Sequence, residues 1–391
     1  MRAARRHVWC RRRRPPAPVL RGSLASPAGK RSGHARGAMS STGAFRLDPE
    51  AAMSAVQPAW DAVKADASAP FLKAADAPKA TFDVARFRAN LETRALGRAV
   101  ACARVATSTQ DFVAALAAHK SASAPLGLVA VADHQAKGRG RGDNVWTDDG
   151  GGGGVLATTM LWQFAGRDAT SLASLQHLVC VAAAQAAGGA LRIKWPNDLY
   201  ARVPPTGNAD VDGPPRIVTP RDGVAYAKAG GVLCTASVAP ARRDAAPGCP
   251  PGHAPDVGDG AVVYDVAIGV GVNVAPNPPF ASLAEAVAAD ATPPAREEVL
   301  ARLCNALEPL LERHARSGFD GTIREEYKRR WVHDGHVLRV VGEDSDVELE
   351  DVTDKGFLVA RVLAGPTSRV ELHPDQHSVD LMQGLVVAKR V

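Results

Sequence analysis

Aromatic side chains are scarce: Trp, Tyr and Phe together make up 5% of the 391 residues. Hydrophobic residues nevertheless reach 46% and charged ones 23%. That balance is globular and excludes a wholly disordered or collagen-like chain. No run reaches 18 consecutive apolar residues, which excludes a membrane-spanning helix of ordinary type and gives no membrane partner. Cysteine is sparse. Cys10, Cys102, Cys180, Cys234, Cys249 and Cys304 contain no C-x-x-C pair, and the eleven His do not cluster with them at ligand spacing. This argues against a disulfide framework or a zinc site, and for free, mostly buried thiols in a reducing compartment. Acid is missing from the first 47 residues, which hold twelve Arg and Lys before Asp48. Removing those twelve from the 47 bases leaves 35 against 41 acids, a net of −6 under an overall +6. A basic head on an acidic body argues against nucleic-acid binding, whose footprint is a basic patch within the fold.

An Arg-rich, acid-free start with scattered Ser fits an organelle transit peptide, so residues 1–54 are expected to be a disordered leader. The expected location is plastid or mitochondrion after cleavage, or cytoplasm if translation starts at Met39 or Met53. Residues 55–81, rich in Ala, Asp and Pro, read as a linker. Ser108 and Thr109 are positioned to cap a helix carrying Phe112, Val113 and Leu116. Residues 126–132 and 155–164 read as buried strands on either side of a Gly-rich loop from Gly138 to Gly154. A helix is expected from Thr170 or Ser171 to Gly188, then a strand at 191–195 stopped by Pro196.

Two Pro/Gly-rich stretches, 202–223 and 239–260, read as surface insertions, because structureless loops of about 20 residues are unusual inside a domain. Strand-like runs follow each, Gly231–Val238 and Val262–Val274. Residues 296–316 carry Val299, Leu300, Leu303, Leu307, Leu310 and Leu311 on one helical stripe, with Pro309 expected to kink it. After Trp331 the pattern changes to short alternating strands with an Asp354-Lys355-Gly356 turn, which predicts a small β-barrel.

Four motifs carry candidate chemistry. Gly138-Arg139-Gly140-Arg141-Gly142, followed by Trp146, combines close backbone approach with fixed positive charge and suits a phosphate or carboxylate. Lys194-Trp195-Pro196-Asn197-Asp198 closes a strand, where functional side chains are displayed. Lys228-Ala229-Gly230-Gly231 leads into a strand, and Gly269-Val270-Gly271-Val272-Asn273 ends one. Each also has a plain structural reading: a flexible basic segment, a turn, a solvated edge lysine, or close strand packing.

In this order the motifs resemble the biotin–protein ligase family, in its holocarboxylase-synthetase-like branch, over roughly Phe82 to Val387. The segment Arg330 to Met382, including Trp331-Val332-His333, Gly356-Phe357-Leu358 and His373-Pro374-Asp375, is similar to that branch's small C-terminal domain. The resemblance implies an α+β fold. Its catalytic domain, residues 82–328, would be a class II aminoacyl-tRNA-synthetase-like mixed β-sheet flanked by helices. Residues 329–391 would form a small SH3-like β-barrel.

The implied activity is ATP-dependent activation of biotin to biotinyl-5′-AMP, followed by transfer to a lysine. The acceptor would be a biotin carboxyl carrier domain of acetyl-CoA carboxylase or another biotin-dependent carboxylase. Biotin contacts are implied for Ser108, Thr109, Gln110, Gln135, Arg139, Gly140, Arg141, Lys228 and Gly269. Contacts to ATP or the adenylate are implied for Trp146, Asn197, Asp198 and Asn273. Arg141, Lys228 and Asp198 would be catalytic. Mg²⁺ would arrive with ATP, with no metal ligands established from the protein. Residues 147–154 depart from the family pattern, and Gln110 stands where the family often has Asn or His. The alternatives are a lipoate or octanoate ligase of the same fold, and a catalytically inactive biotin-binding protein.

Overall fold

The computed structural model describes residues 46–47, 81–118, 126–142, 144–147, 153–166, 172–204, 215–239, 261–286, 292–341, 345–364 and 368–389. The main sheet is mixed. Its strands are β1 (Arg46–Leu47), β2 (Val100–Ala106), β3 (Val129–Gln135), β6 (Val155–Gly166), β7 (Leu191–Lys194), β8 (Asp198–Val203), β9 (Arg216–Val218), β10 (Ala225–Val238) and β11 (Val262–Asn273). They run in the order β1-β2-β3-β6-β11-β10-β8-β7, with β9 also on β10. Among the described residues of this sheet, only the β2 and β3 strands pair in parallel. A parallel pair needs a crossover, and α2 (Thr109–Ala118) supplies it.

Strand alternation assigns the two faces. Val100, Val129 and Val131 point into the larger core, while Ala101, Ala103, Ala130 and Ala132 meet Phe112, Val113 and Leu116 of α2. The small alanines allow α2 to lie close to the sheet. The larger core holds α3 (Leu175–Ala186) and α5 (Arg296–Ser317). The stripe expected on α5 is buried, except for half-buried Leu310, and the helix continues through Pro309 to Ser317. Buried Glu308 accepts the backbone N–H groups of Arg94, Ala95 and Leu96, which fastens the segment after α1 (Val84–Ala89) to α5. Near the start of α5, Arg296 bonds Asp133 at 2.6 Å in a buried ion pair.

The structure differs from the sequence expectations at several points. Arg46 and Leu47, expected in a disordered leader, pair with Cys102 and Ala101 at the sheet edge. That pairing is a nonlocal backbone contact, invisible to composition. The strand expected at 126–132 is β3, Val129–Gln135, starting three residues later because Leu126 and Gly127 form a turn. Helix α3 begins at Leu175; Thr170 and Ser171 lie outside the described residues. The Gly-rich loop contains a short hairpin, β4 (Gly138–Arg139) with β5 (Val145–Trp146). Of the stretch 202–223, residues 202–203 and 216–218 are sheet strands against β10, and 205–214 lie outside the described residues. Residues 240–260 also lie outside them.

Helix α6 (Gly321–Lys328) is capped by Asp320, whose carboxylate accepts the Ile323 N–H. The chain then runs beside β7: Ile193 donates to Arg330 O, and Val332 donates to Ile193 O. A sheet edge exposes unpaired backbone groups, and this segment covers the β7 edge before entering a second sheet. That sheet has six strands: β12 (Val337–Val340), β13 (Asp346–Val352), β14 (Leu358–Val362), β15 (Arg369–Leu372), β16 (His377–Asp380) and β17 (Leu385–Ala388). Their order is β15-β14-β13-β12-β17-β16, and among the described residues no pairing joins β15 to β16. The expected small β domain is therefore present as a six-stranded sheet without ladder closure. β16 and β17 lack the alternating pattern that marks the other four.

Several histidines are buried in these interfaces. His177 of α3 packs edge-on to Tyr327, and burial holds its pKa at about 3. Burial likewise lowers His314 to about 4 and His333 well below the usual value. In the unfolded chain each titrates near about 6.5, so the unfolded state takes up protons first as the pH falls. Stability from these groups is fully present above about pH 6.5 and declines below it, by about 1.4 kcal/mol per pH unit for each histidine. A thermal-midpoint series from about pH 8 to about pH 4 should drop only on the acid side; a level midpoint would contradict neutral buried histidines.

Candidate functional site

One end of the main sheet opens into a cavity of about 710 Å³. Its closed end is polar. The Thr109 N–H donates to Gln135 Oε1 at 2.8 Å, and Thr109 Oγ1 lies 2.8 Å from Thr159 Oγ1. The Gln110 amide donates to Ala267 O at 3.0 Å and Thr235 Oγ1 at 2.9 Å, while its carbonyl accepts from Thr159 at 3.1 Å. Ser108 Oγ accepts the Gln110 N–H at 3.2 Å, so the start of α2 is capped as its sequence suggests. Gly269 makes room for this arrangement: a Cβ there would fall 2.6 Å from Gln110 Oε1. This end offers fixed donors and acceptors to a polar group, not an apolar slot.

The side wall is the β4–β5 hairpin. A Cβ on Gly138 would stand 2.4 Å from Trp146 O, which is why the first glycine of the motif is needed. The Trp146 ring lies over Gly271, where an added Cβ would be 2.9 Å from the indole. Its Nε1 is buried without a hydrogen bond among the described residues. Arg139 pairs with Asp111 at 2.8 Å. Arg141 reaches the second sheet, where it donates to Pro374 O at 3.2 Å and to Asp375 at 3.1 Å. Asp375 is 91% exposed, so this pair contributes at most about 1 kcal/mol and is readily displaced.

The centre of the cavity is built on the turn Lys194 to Asp198, which contains a cis Trp195-Pro196 bond. Trp195 donates its backbone N–H to His333 Nε2 at 2.7 Å and its indole N–H to Gly356 O at 2.9 Å. Asn197 donates to Val232 O at 2.6 Å and accepts from the Val232 N–H through its own carbonyl at 2.9 Å. Asp198 then meets Lys228 at 2.7 Å, across an irregularity in the β8–β10 ladder between Lys228 and Gly230. Lys194 donates to Val379 O at 3.1 Å, and burial lowers its pKa.

Ser108, Thr109, Gln110, Gln135, Arg139, Gly140, Arg141, Trp146, Asn197, Asp198, Lys228 and Gly269 all line this cavity. Asn273 does not. It is buried, donates to Ala281 O at 3.1 Å and accepts from Asn277 at 3.0 Å, so it holds the turn after β11. The pattern that ends β11 with an Asn does not distinguish a strand-end bond from a ligand contact. Conversely, Asp375, His377, Ser378, Val379 and Lys389 of the second sheet line the cavity but were not singled out as site residues. Only His373-Pro374-Asp375 gave any signal in the sequence. Residues 148–152 of the departing loop segment lie outside the described residues.

Among the described residues no three His, Cys, Asp or Glu side chains converge on a metal position. The cavity's carboxylates are Asp198 and Asp375. That set suits a Mg²⁺ ion carried in on phosphate oxygens and not a dedicated protein cage.

Two contrasting substitutions test this reading of the site. Thr159→Val leaves the buried Gln110 carbonyl without its hydrogen bond, while the Thr109 hydroxyl keeps Gln135 Oε1, and should cost about 1–3 kcal/mol in urea unfolding. Asp375→Asn should cost less than about 1 kcal/mol. Equal effects would contradict the difference in burial.

Residues 102–238 match the Biotin/lipoate A/B protein ligase family. The chain is 28% identical over 331 residues to Biotin--protein ligase 2 of Arabidopsis thaliana, covering 79% of this chain and 83% of that protein. It is 27% identical over 330 residues to Biotin--protein ligase 1, chloroplastic, of the same plant, covering 79% and 74%. Among solved structures it is similar to the biotin protein ligase of Aquifex aeolicus in complex with biotin and ATP. That match has 18% identity, a TM-score of 0.44, and covers 75% of this chain and 99% of the other.

Proposed function

We infer, for a chain whose residues 102–238 match the Biotin/lipoate A/B protein ligase family and that is similar over most of its length to biotin--protein ligases, that it activates biotin with ATP and attaches it to a protein lysine. The observation that carries this reading is one cavity joining three parts. These are a polar closed end at Gln110 and Thr159, an aromatic wall at Trp146, and the Lys228–Asp198 pair, lining the same cavity.

In the first step a biotin carboxylate oxygen attacks the α-phosphorus of ATP, the bond to pyrophosphate breaks, and biotinyl-5′-AMP forms. Two anions must approach, and Lys228 and Arg141 offset their repulsion once they leave Asp198 and Asp375. Arg139 and the Gly140 backbone complete the basic hairpin. Mg²⁺ on the triphosphate would supply charge neutralisation for pyrophosphate departure.

In the second step a neutral lysine amine attacks the acyl carbon, AMP leaves with the former carboxylate oxygen, and an amide results. Asp198, released by Lys228, is the carboxylate best able to orient that amine or take its proton. No enzyme nucleophile is needed. The acceptor we propose is a biotin carboxyl carrier domain of acetyl-CoA carboxylase or another biotin-dependent carboxylase. The six-stranded second sheet we read as the counterpart of the family's small SH3-like domain. The hydrogen-bonding Gln110 end favours biotin's polar ring over the apolar ring of lipoate.

Pyrophosphate exchange into ATP should require biotin and be unmoved by lipoate or octanoate; exchange driven by lipoate would overturn the substrate assignment. Lys228→Ala should lower biotin-dependent exchange at least about 10- to 150-fold, the equivalent of one charge-assisted contact of about 1.5–3 kcal/mol. An exchange rate at the wild-type level would leave Lys228 as an ordinary edge lysine.

We also propose that the Arg-rich leader, acid-free through residue 47, directs the chain to a plastid or mitochondrion. The support is its composition and the chloroplastic designation of one relative. A fluorescent fusion of residues 1–54 should enter an organelle, and a diffuse cytosolic signal would refute this.

A further inference from the structure

Five cationic side chains line the cavity: Arg139, Arg141, Lys194, Lys228 and Lys389. Three of them already hold a carboxylate. Arg139 has Asp111, Arg141 has Asp375, and Lys228 has Asp198. Among the described residues Lys194 and Lys389 have no such partner. Each donates only to a backbone carbonyl of the second sheet, Lys194 to Val379 O at 3.1 Å and Lys389 to Pro374 O at 2.5 Å. Lys389 is exposed and its charge is solvated. Lys194 is half-buried in the cavity wall, directly opposite Asp198 in the β7–β8 register.

This distribution matters when a polyanion enters. A paired cation must give up one carboxylate before it engages a phosphate, so much of its attraction is cancelled. A cation held only by a carbonyl keeps its charge available, and partial burial makes that charge act through a lower dielectric than water. A carbonyl satisfies one of the three ammonium protons, which leaves two donors for a ligand. Lys194 therefore combines available charge, free donors and a position beside the Asp198–Lys228 pair.

We propose that Lys194 contacts the phosphate chain of ATP in the activation step, an assignment that rests on the ligase reading above. The bond to Val379 O then serves to aim the ammonium group and to dock the second sheet. Burial also lowers the pKa of Lys194 in the free protein; Asp198 and Asp380 act against that shift, and Lys228 adds to it. Buried His333, kept neutral by burial, also faces it. An arriving phosphate raises the Lys194 pKa, so ATP capture should favour its protonated form and weaken as pH rises through the depressed value.

The experiment compares Lys194→Gln, Lys194→Arg and Lys194→Met in pyrophosphate exchange. Gln keeps a polar N–H donor without charge, Arg keeps the charge, and Met loses both. Lys194→Gln should lower kcat/KM for ATP about 10- to 100-fold, the range of a charge-assisted contact, with the biotin KM moving less than about 3-fold. Lys194→Arg should recover most of that loss. The alkaline decline of kcat/KM for ATP should disappear in the Gln variant. A Gln variant within about 2-fold of wild type on ATP would overturn the proposal and make Lys194 a docking residue, because a hydrogen bond alone would then suffice. A loss falling on the biotin KM would overturn it in favour of a carboxylate contact. Should wild type exchange with lipoate and not biotin, the substrate reading fails, while the ATP comparison can be made with lipoate and still decides the role of Lys194.

Discussion

The bond from the Trp195 N–H to His333 Nε2 fixes the centre of this protein. Trp195 follows the last residue of β7, where the strand has turned away from its neighbours and its N–H has no ladder partner. A buried N–H without an acceptor costs about 1–3 kcal/mol. His333, in the segment that runs beside β7 between α6 and the second sheet, provides that acceptor. The Trp195 indole to Gly356 and the Lys194 ammonium to Val379 extend the same contact. Asp198 ends this turn, so the carboxylate that meets Lys228 is positioned by residues more than a hundred places later in the chain. The second sheet is therefore part of the site's construction as well as its wall.

Charge in the cavity follows from this arrangement. Three of the five basic side chains are held by carboxylates, and two of those carboxylates belong to the cavity lining itself. Asp375 is an exposed partner and Asp198 a half-buried one, so the two pairs differ in how readily a phosphate or carboxylate replaces them. Arg141 leaves its partner at little cost. In the proposed reaction Lys228 would leave a half-buried carboxylate behind for the incoming amine. One pair would then serve two steps with opposite electrostatic needs.

Three glycines of the first and last motifs act through close contact. Gly138, Gly269 and Gly271 each lie under a backbone oxygen, an amide or an indole at distances no Cβ tolerates. They shape the polar end and seat Trp146, and so connect motif spacing to the form of the cavity.

The sequence determined the elements whose signals are local. The buried strands β3 and β6, the stripe on α5, the stop at Pro196 and the glycine-flanked arginines were all legible, because each depends on neighbours within a few residues; β2 was not read from the sequence. The order of the motifs carried the family resemblance. Twelve of the thirteen residues singled out line one cavity, Asn273 being the exception.

Tertiary structure alone decided the rest. It paired Arg46 and Leu47 with β2, folded parts of the stretch 202–223 onto β10, spent Asn273 on a turn, and brought Asp375, Val379 and Lys389 to the cavity. All are contacts between distant segments, made by backbone groups or by side chains of ordinary polarity. Composition and periodicity report what a residue is and how its neighbours repeat; they carry no information on which remote carbonyl or carboxylate it will meet.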